Sequence, residues 1–326
     1  MRSFLLFALV LLALFFGLFW GSTPLPIEAF FDTAQNTPEG KIFWELRFPR
    51  VCLAFCVGAG LSLGGAVFQS LFRNVLASPY TLGISSGAAL GHALALHLGL
   101  LVSSSLLLGA LFGALVGVGV TLSLLLLASY NRSLLSGNGL LLVGVVLNLF
   151  LGSLILFLQY ISDFSAVLRT LRWVMGSFDV VGFSQAALVF LCVGGAFFYT
   201  FFKRHELDLL SFGDEFARAR GVSTVQEKRL FLIVISLTVG VIVSVCGPVG
   251  FIGIIVPHIC RLLVGARHVS LLPTLLCFGG AFLVMCDLLS RTLIAPFEIP
   301  VGVITSLLGG PFFVWVLLAS KKRATN

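Results

Sequence analysis

The run NVLASPYTLGISSGAALGHALALHLGLLVSSSLLLGALFGALVGVGVTLSLLLLASYN, residues 74–131, contains no Lys, Arg, Asp or Glu. A transmembrane helix needs about 20 apolar residues, so this run is long enough to cross a bilayer at least twice. The whole chain agrees: 59% of its residues are hydrophobic, only 10% are charged, and the mean hydropathy is +1.11. These values lie far outside the range of soluble globular domains, and they predict an all-α polytopic membrane protein.

Apolar segments recur along the rest of the chain and predict about ten transmembrane helices. An even number of spans places both termini on one side of the membrane. Lys321, Lys322 and Arg323 indicate that this side is cytoplasmic, and most of the 20 Lys and Arg residues, including Arg132, then lie there. The net charge of +7 therefore reflects topology, not nucleic-acid binding. The predicted spans are 4–20, 50–71, 80–101, 105–128, 139–160, 183–202, 230–246, 249–265, 270–289 and 301–319.

Residues 203–229 hold a third of the charged side chains and interrupt the apolar pattern. Ser211 followed by Asp214 is typical of a helix N-terminus, and Gly221 can end that helix in a left-handed conformation. Ser223 and Gln226 have the spacing of a second capping box. The pattern predicts two short helices around a glycine turn on the cytoplasmic surface, with a solvated loop as the alternative.

Motifs for nucleotide or metal chemistry are missing from the sequence. The one Gly–Lys pair, Gly40–Lys41, lacks the upstream glycine of a phosphate-binding loop and is followed by Ile42. All seven cysteines lie inside predicted spans, where Cys behaves as a small apolar residue, so we expect no metal site. If nucleotide hydrolysis drives this protein, another chain must bind the nucleotide.

Seven short motifs, in order and at consistent spacing from about residue 45 to 320, resemble the FecCD family, the membrane permeases of ABC importers for iron chelates and vitamin B12. The motifs are RFPR (47–50), GGAVFQ (64–69), RNVLASPYTLGISSGA (73–88), GDEFA (213–217), GPVGFIGIIVPHICR (247–261), EIPVGV (298–303) and GGPFF (309–313). Val75 stands where the family usually has Pro.

The resemblance implies a type II ABC importer permease fold, with residues 1–326 as one transmembrane domain and 203–229 as a coupling loop. It implies a second copy of the chain, two cytoplasmic ATPase subunits that bind ATP and Mg, and a periplasmic or surface-tethered binding protein, in the inner (plasma) membrane. The chain itself would hold no catalytic site and no cofactor. The cargo would be an iron chelate, siderophore or haem, with cobalamin as the alternative.

An ion-gradient-driven secondary transporter is the contrasting class. It should carry acidic residues at mid-membrane, and only Asp287 comes near.

Two groups of site residues follow from the resemblance. Contacts with the ATPase are assigned to Asp214, Glu215, Ala217, Arg218, Arg220 and Gly221. Docking of the binding protein is assigned to Arg47, Arg50 and Arg291, since Arg forms strong, often bidentate pairs with carboxylates. Snorkelling membrane anchors are the alternative for these arginines, and Asp287 is spaced to pair with Arg291 on one helix face.

The pathway would lie on a two-fold axis, lined mainly by the fifth span and flanked by the third, eighth and tenth; its candidate residues are Asn148, Ser153 and Gln159. Gly247–Pro248 and Pro257–His258 are predicted to interrupt the eighth span, and Arg261 completes that structural motif. Residues 161–178 are predicted to form an interfacial helix on the outer face. Residues 21–45 have no assigned role beyond a contact with the binding protein.

Overall fold

The computed structural model describes residues 2–324 except 22, 24, 34, 98–105 and 131–136. Within these residues the regular structure is helical, comprising fifteen α-helices and the π-helical segment Ile42–Arg47 between α3 and α4. The α-helices are α1 Arg2–Phe19, α2 Glu28–Phe31, α3 Pro38–Lys41, α4 Phe48–Phe72, α5 Ile84–His97, α6 Leu106–Tyr130, α7 Gly137–Tyr160, α8 Phe164–Val174, α9 Ser184–Phe202, α10 Arg204–Phe212, α11 Asp214–Ala219, α12 Thr224–Cys246, α13 Ile252–Val264, α14 His268–Thr292 and α15 Val301–Ala324.

Ten of these helices correspond to the ten predicted spans: α1, α4, α5, α6, α7, α9, α12, α13, α14 and α15. Among the described residues, five stretches are long and apolar enough to cross a membrane by length and composition, and shorter apolar helices accompany them. The third span starts four residues late, at Ile84, because Arg73 and Gly83 adopt left-handed backbone conformations that bend the preceding loop. Arg132, on which the predicted topology also rests, lies outside the described residues.

Helix α4 forms the centre of the bundle, and almost every residue from Val57 to Phe72 is buried. Glycines allow its neighbours to approach closely. A Cβ atom on Gly65 would lie 1.9 Å from the carbonyl oxygen of Gly253 in α13, and one on Gly58 would lie 2.2 Å from that of Gly279 in α14. Backbone-to-backbone packing at these two points fixes α13 and α14 against α4.

The predicted capping pattern of the charged segment is wrong in two places. Ser211 does not cap a helix: it lies in the last turn of α10 and donates to the carbonyl of Asp208 at 2.6 Å. α10 extends this far because Leu207 and Leu210 are fully buried. Ser223 does precede α12, but its side chain makes no capping hydrogen bond. Gly221 is left-handed, with φ +83°, as predicted.

Of the two predicted interruptions of the eighth span, the one at Gly247–Pro248 is present and the one at Pro257–His258 is not. The break lies between α12 and α13, where Gly247 and Phe251 have φ of +74° and +64°, and α13 runs unbroken through Pro257. Proline has no N–H to donate, which leaves the carbonyl of Gly253 free. Gln69 Nε2 donates to that carbonyl at 3.2 Å, so the helix continues. Arg261 also donates to the Gln69 side chain.

The segment 161–178 does contain a helix, α8, and its interfacial position stays a prediction. Asp163 caps α8, because its carboxylate accepts from the Ala166 N–H at 3.4 Å. At its C-terminal end Trp173 stacks on His92 of α5, with ring centroids 3.8 Å apart and ring planes 3° from parallel. This contact fixes α8 to the end of the bundle that also carries Arg47, Arg50 and Arg291, here named the arginine end. The opposite end, which carries α10 and α11, is named the charged-segment end.

Candidate functional site

At the arginine end, a fully buried carboxylate lies between two guanidinium groups. Arg50 Nε lies 2.9 Å from Asp287 Oδ1, and Arg291 Nε lies 2.9 Å from Asp287 Oδ2. The second is the predicted pair within α14. Arg50 also reaches Glu298 in the loop before α15, at 2.8 Å. The cluster therefore ties α4, α14 and that loop together.

Arg47 and Arg291 also bind the end of α1. Arg47 Nη1 donates to the carbonyl of Phe19, the last residue of α1, at 3.5 Å, and Arg291 Nη2 donates to that of Gly17 at 3.1 Å. Arg47 Nη2 also donates to the carbonyl of Thr23, beyond the helix, at 2.8 Å. Carbonyls in the last turn of a helix lack partners within the helix, so cationic donors stabilise them. Arg47 and Arg291 are only 6% and 4% exposed, so in this conformation they hold the fold together. Their predicted docking role stays a prediction.

At the charged-segment end the six predicted coupling residues divide into two groups. Glu215, Arg218, Arg220 and Gly221 are exposed. Ala217 is fully buried, and Asp214 is half-buried and pairs with Lys228 of α12 at 2.6 Å. The exposed members can meet a partner, whereas the other two position α11 against α12.

Sequence reasoning missed an aromatic pair on the same surface. Phe212 is 72% exposed and Phe216 43% exposed, and their ring centroids are 5.5 Å apart. The Arg220 guanidinium lies 5.3 Å from the centroid of Phe216, within cation–π range. The sequence does contain a signal for this pair: two Phe residues stand four positions apart among charged neighbours, a spacing that places side chains on one side of a helix. Together they form an exposed apolar contact flanked by charge.

A polar network connects this surface to the centre of the bundle. His268, the first residue of α14, contacts Asp208 of α10 through Nδ1 and donates its backbone N–H to the same carboxylate at 3.1 Å. Its Nε2 lies 2.9 Å from the Ser70 hydroxyl of α4. Burial raises the pKa of Asp208, but the hydrogen bonds from the His268 side chain and backbone outweigh it, and the pKa is lowered. α10 is thereby tied to both α14 and α4.

A cavity of about 630 Å³ opens between α5, α8, α13 and α15. Its lining is mostly apolar and includes Met175 and Phe251, with hydroxyl groups from Tyr80, Ser85 and Ser306. No charged side chain is among the described residues that line it. The cavity can therefore receive a bulky ligand through apolar contacts and a few hydrogen bonds.

The three predicted pathway residues do not line this cavity. Asn148 Nδ2 donates to the carbonyl of Tyr80 at 2.9 Å, so it ties α7 to the loop before α5. Ser153 is exposed and donates to the Leu149 carbonyl one turn back, at 2.9 Å. Gln159 lies beside a much smaller pocket near His97. Their role in a pathway stays a prediction, and α7 instead presents an exposed apolar surface.

A bundle of apolar helices around a cavity, with an exposed charged segment at one end, defines a membrane transport permease. Residues 7–319 match the model of the FecCD transport family. The hemin transport system permease protein HmuU of Yersinia pestis is 37% identical, covering 100% of this chain and 97% of its own. The vitamin B12 import system permease protein BtuC of Klebsiella pneumoniae is 35% identical over 87% and 85% of the two chains.

A solved structure gives the same result. It is described as an inward-facing conformation of a metal-chelate type ABC transporter, and it matches with a TM-score of 0.85 and 31% identity over 97% of this chain and 98% of its own. The chain belongs to the FecCD transport family, and it has the type II ABC importer permease fold.

Proposed function

We propose that this chain is the permease of an ATP-driven importer that moves an iron chelate, siderophore or haem, from a binding protein across the inner (plasma) membrane into the cytoplasm. Two copies would act with two cytoplasmic ATPase subunits, which bind ATP and Mg. The arginine end would then face outward, and both termini would be cytoplasmic. The observation that carries the proposal is the exposed surface of α11, where aromatic and charged side chains lie beside each other without a covering element.

The second copy is supported by the surface of α7. Leu142, Leu149 and Leu156 are all exposed and repeat at seven-residue intervals, so they form one apolar stripe along the helix. Pairing two copies would double the cavity about a two-fold axis and enclose a pathway between them.

The network at the charged-segment end supplies a route for mechanical coupling. ATP-driven closure of the ATPase subunits would push on α11. Because α10 is bound to His268, and His268 to Ser70, that push would move the ends of α14 and α4 together. The permease would then alternate between outward-open and inward-open states with no chemistry in this chain.

The contacts of Asp287 count against an ion-gradient mechanism. A carboxylate that carries a coupling proton or ion must exchange it with the pathway. Asp287 is fully buried, is held by Arg50 and Arg291, and is absent from the cavity lining. Its role is better explained by the stability of the helix bundle.

Iron chelates are favoured as cargo because of the hemin relative at 37% identity. Cobalamin is the alternative, favoured by the vitamin B12 relatives at 35% identity. Both cargoes are bulky, and the cavity lining accepts either.

The deciding experiment measures ATPase activity of the permease with its partner ATPase in liposomes. The cognate binding protein is added empty or loaded with ferric siderophore, haem or cobalamin. We expect stimulation by one loaded iron chelate, and loss of that stimulation in Glu215→Lys, which changes an exposed residue. Stimulation by cobalamin alone would assign the other cargo. Uptake that follows an imposed ion gradient, with no ATPase partner, would overturn the proposal.

A further inference from the structure

Between α1 and α4 the chain builds a second, separate hydrophobic cluster at the arginine end. Leu25, Ala29 and Phe43 are its buried members, and they belong to none of the packing inside the main bundle. Phe19, Trp44 and Phe48 pack around them. The segment is therefore a folded unit with its own core.

A hydrogen-bonded turn closes this unit on its polar side. The Asp32 carboxylate accepts from the Thr37 hydroxyl at 2.6 Å and from the Thr37 N–H at 2.8 Å. These two hydrogen bonds, with one from the Asn36 N–H, lower the pKa of Asp32. Gly40 is needed beside the turn, because a Cβ atom there would lie 2.3 Å from Asp32 Oδ2.

The unit also exposes large apolar side chains, here named the aromatic patch: Trp20, Ile27, Phe30 and Phe31. Phe31 is 74% exposed, Trp20 59% and Ile27 57%. A cluster of large exposed apolar side chains on so short a segment indicates a surface that is covered by lipid or by another protein chain.

The aromatic patch continues the exposed apolar surface of α1. Phe15 is exposed on α1, and ring contacts pass from Phe15 to Phe19, then to Phe43, Phe30 and Phe31, with successive centroids 5.2, 5.8, 5.8 and 5.3 Å apart. Trp20 joins the same surface through Phe16, at 6.1 Å. The path through the buried Phe43 fixes the patch to α1, and the contact of the exposed Phe16 with the exposed Trp20 joins the patch to the outer surface of α1.

The position of α1 in the bundle indicates what contacts its exposed side. α1 packs against α14 and α4, and none of its described residues lines the cavity between α5, α8, α13 and α15. A membrane-spanning helix at the periphery of the bundle, away from the cavity, meets lipid on its free side. Trp at the end of such a helix is typical of the membrane–water interface.

We propose that the aromatic patch inserts into the membrane–water interface at the arginine end and fixes the segment between α1 and α4 on the bilayer surface. The partner is the lipid itself, contacted through rings at the level of the headgroups and upper acyl chains.

The test is fluorescence quenching of a tryptophan placed in the patch. Phe31→Trp is reconstituted as the full-length permease in phosphatidylcholine liposomes whose acyl chains are brominated either near the headgroup or near the chain end. Subtracting the spectrum of the unmodified protein, which has four Trp residues, isolates the added emission. We expect shallow bromination to remove roughly half of it, because an interfacial ring lies about 5–10 Å into the headgroup and acyl boundary.

Two further variants sharpen the result. Asn36→Trp places the same probe on the polar turn of the same unit, and its emission should respond to aqueous iodide but not to brominated lipid. Trp20→Phe should remove native emission that shallow bromination quenches.

If the added emission of Phe31→Trp responds to iodide and to neither brominated lipid, the proposal is wrong. In that case a blue shift of this emission on adding binding protein would assign the patch to that protein. Protection from every quencher would also overturn it, in favour of a second copy.

Discussion

At the arginine end, Asp287 is enclosed between Arg50 and Arg291, whereas at the charged-segment end Glu215, Arg218 and Arg220 face solvent. The residue types are alike, but their environments differ. Breaking a buried ion pair leaves an uncompensated charge and costs about 3–5 kcal/mol, whereas an exposed pair contributes about 0–1 kcal/mol. The buried charges at the first end therefore stabilise the fold, whereas the three exposed side chains at the second end are available to a partner.

The largest expected effect is at the buried carboxylate. Asp287→Asn should lower the free energy of unfolding by about 3–5 kcal/mol, because two guanidinium groups lose their common counter-charge. Thermal unfolding in detergent measures it. Glu298→Gln is the matched control: it also removes a carboxylate from Arg50, but at a site 39% exposed, so it should cost less than about 1 kcal/mol. Equal losses in the two variants would contradict the buried-charge explanation.

Packing without charge can be tested separately on α4, the helix that carries Arg50. Gly65→Ala places a methyl group where the Gly253 carbonyl oxygen lies, and overpacking of this kind costs about 1–3 kcal/mol. Gly194→Ala on α9, which has no neighbour within 4 Å, is the control and should not destabilise the protein. If Gly65→Ala unfolds at the same temperature as the unmodified protein, α4 and α13 are not held at this contact.

At the charged-segment end the expected change is in binding, not in unfolding. Phe216→Ala should leave the free energy of unfolding within about 0.5 kcal/mol, as is usual at exposed positions. It should weaken association with the partner ATPase by about 2 kcal/mol, roughly 30-fold, as truncation of an aromatic hot spot does. Titration with purified ATPase subunit measures the affinity. Phe202→Ala, at an exposed Phe on α9, is the control and should bind normally.

The fold could be predicted from the sequence because hydrophobicity and length alone decide which segments cross a membrane. The ten predicted spans correspond to ten helices, even though α5 and α13 are shortened by left-handed residues before them. The exact helix ends could not be predicted. Ser211 has the residue type of a cap, but burial of Leu207 and Leu210 extends α10 past it. Likewise, Pro257 does not break α13, because Gln69, far away in sequence, bonds the carbonyl that proline leaves free.

The sites were predicted less completely, because burial and pairing depend on tertiary contacts. The sequence identified Arg47, Arg50 and Arg291 as a group and predicted the pair of Asp287 with Arg291. It did not show that Asp287 also binds Arg50, or that carbonyls in the last turn of α1 bind Arg47 and Arg291. The sequence also identified the charged segment, but not the exposed pair of Phe212 and Phe216 on it. The contact of His268 with Asp208 and Ser70 joins three helices that are distant in sequence, and no local pattern signals it.

The smallest expected effect is a pH dependence that comes from this last contact. Asp208 has a lowered pKa in the folded protein, so its ionised form contributes stability that is present at neutral pH and is lost as the pH falls through the folded-state pKa. Thermal unfolding followed from neutral to acidic pH should therefore shift to lower temperature, and Asp208→Asn should remove part of that shift. Ser70→Ala, which breaks the contact of His268 with α4 but keeps the carboxylate, should retain the shift. If Asp208→Asn keeps the full acid sensitivity, the link between α10 and α14 does not depend on the charge of Asp208.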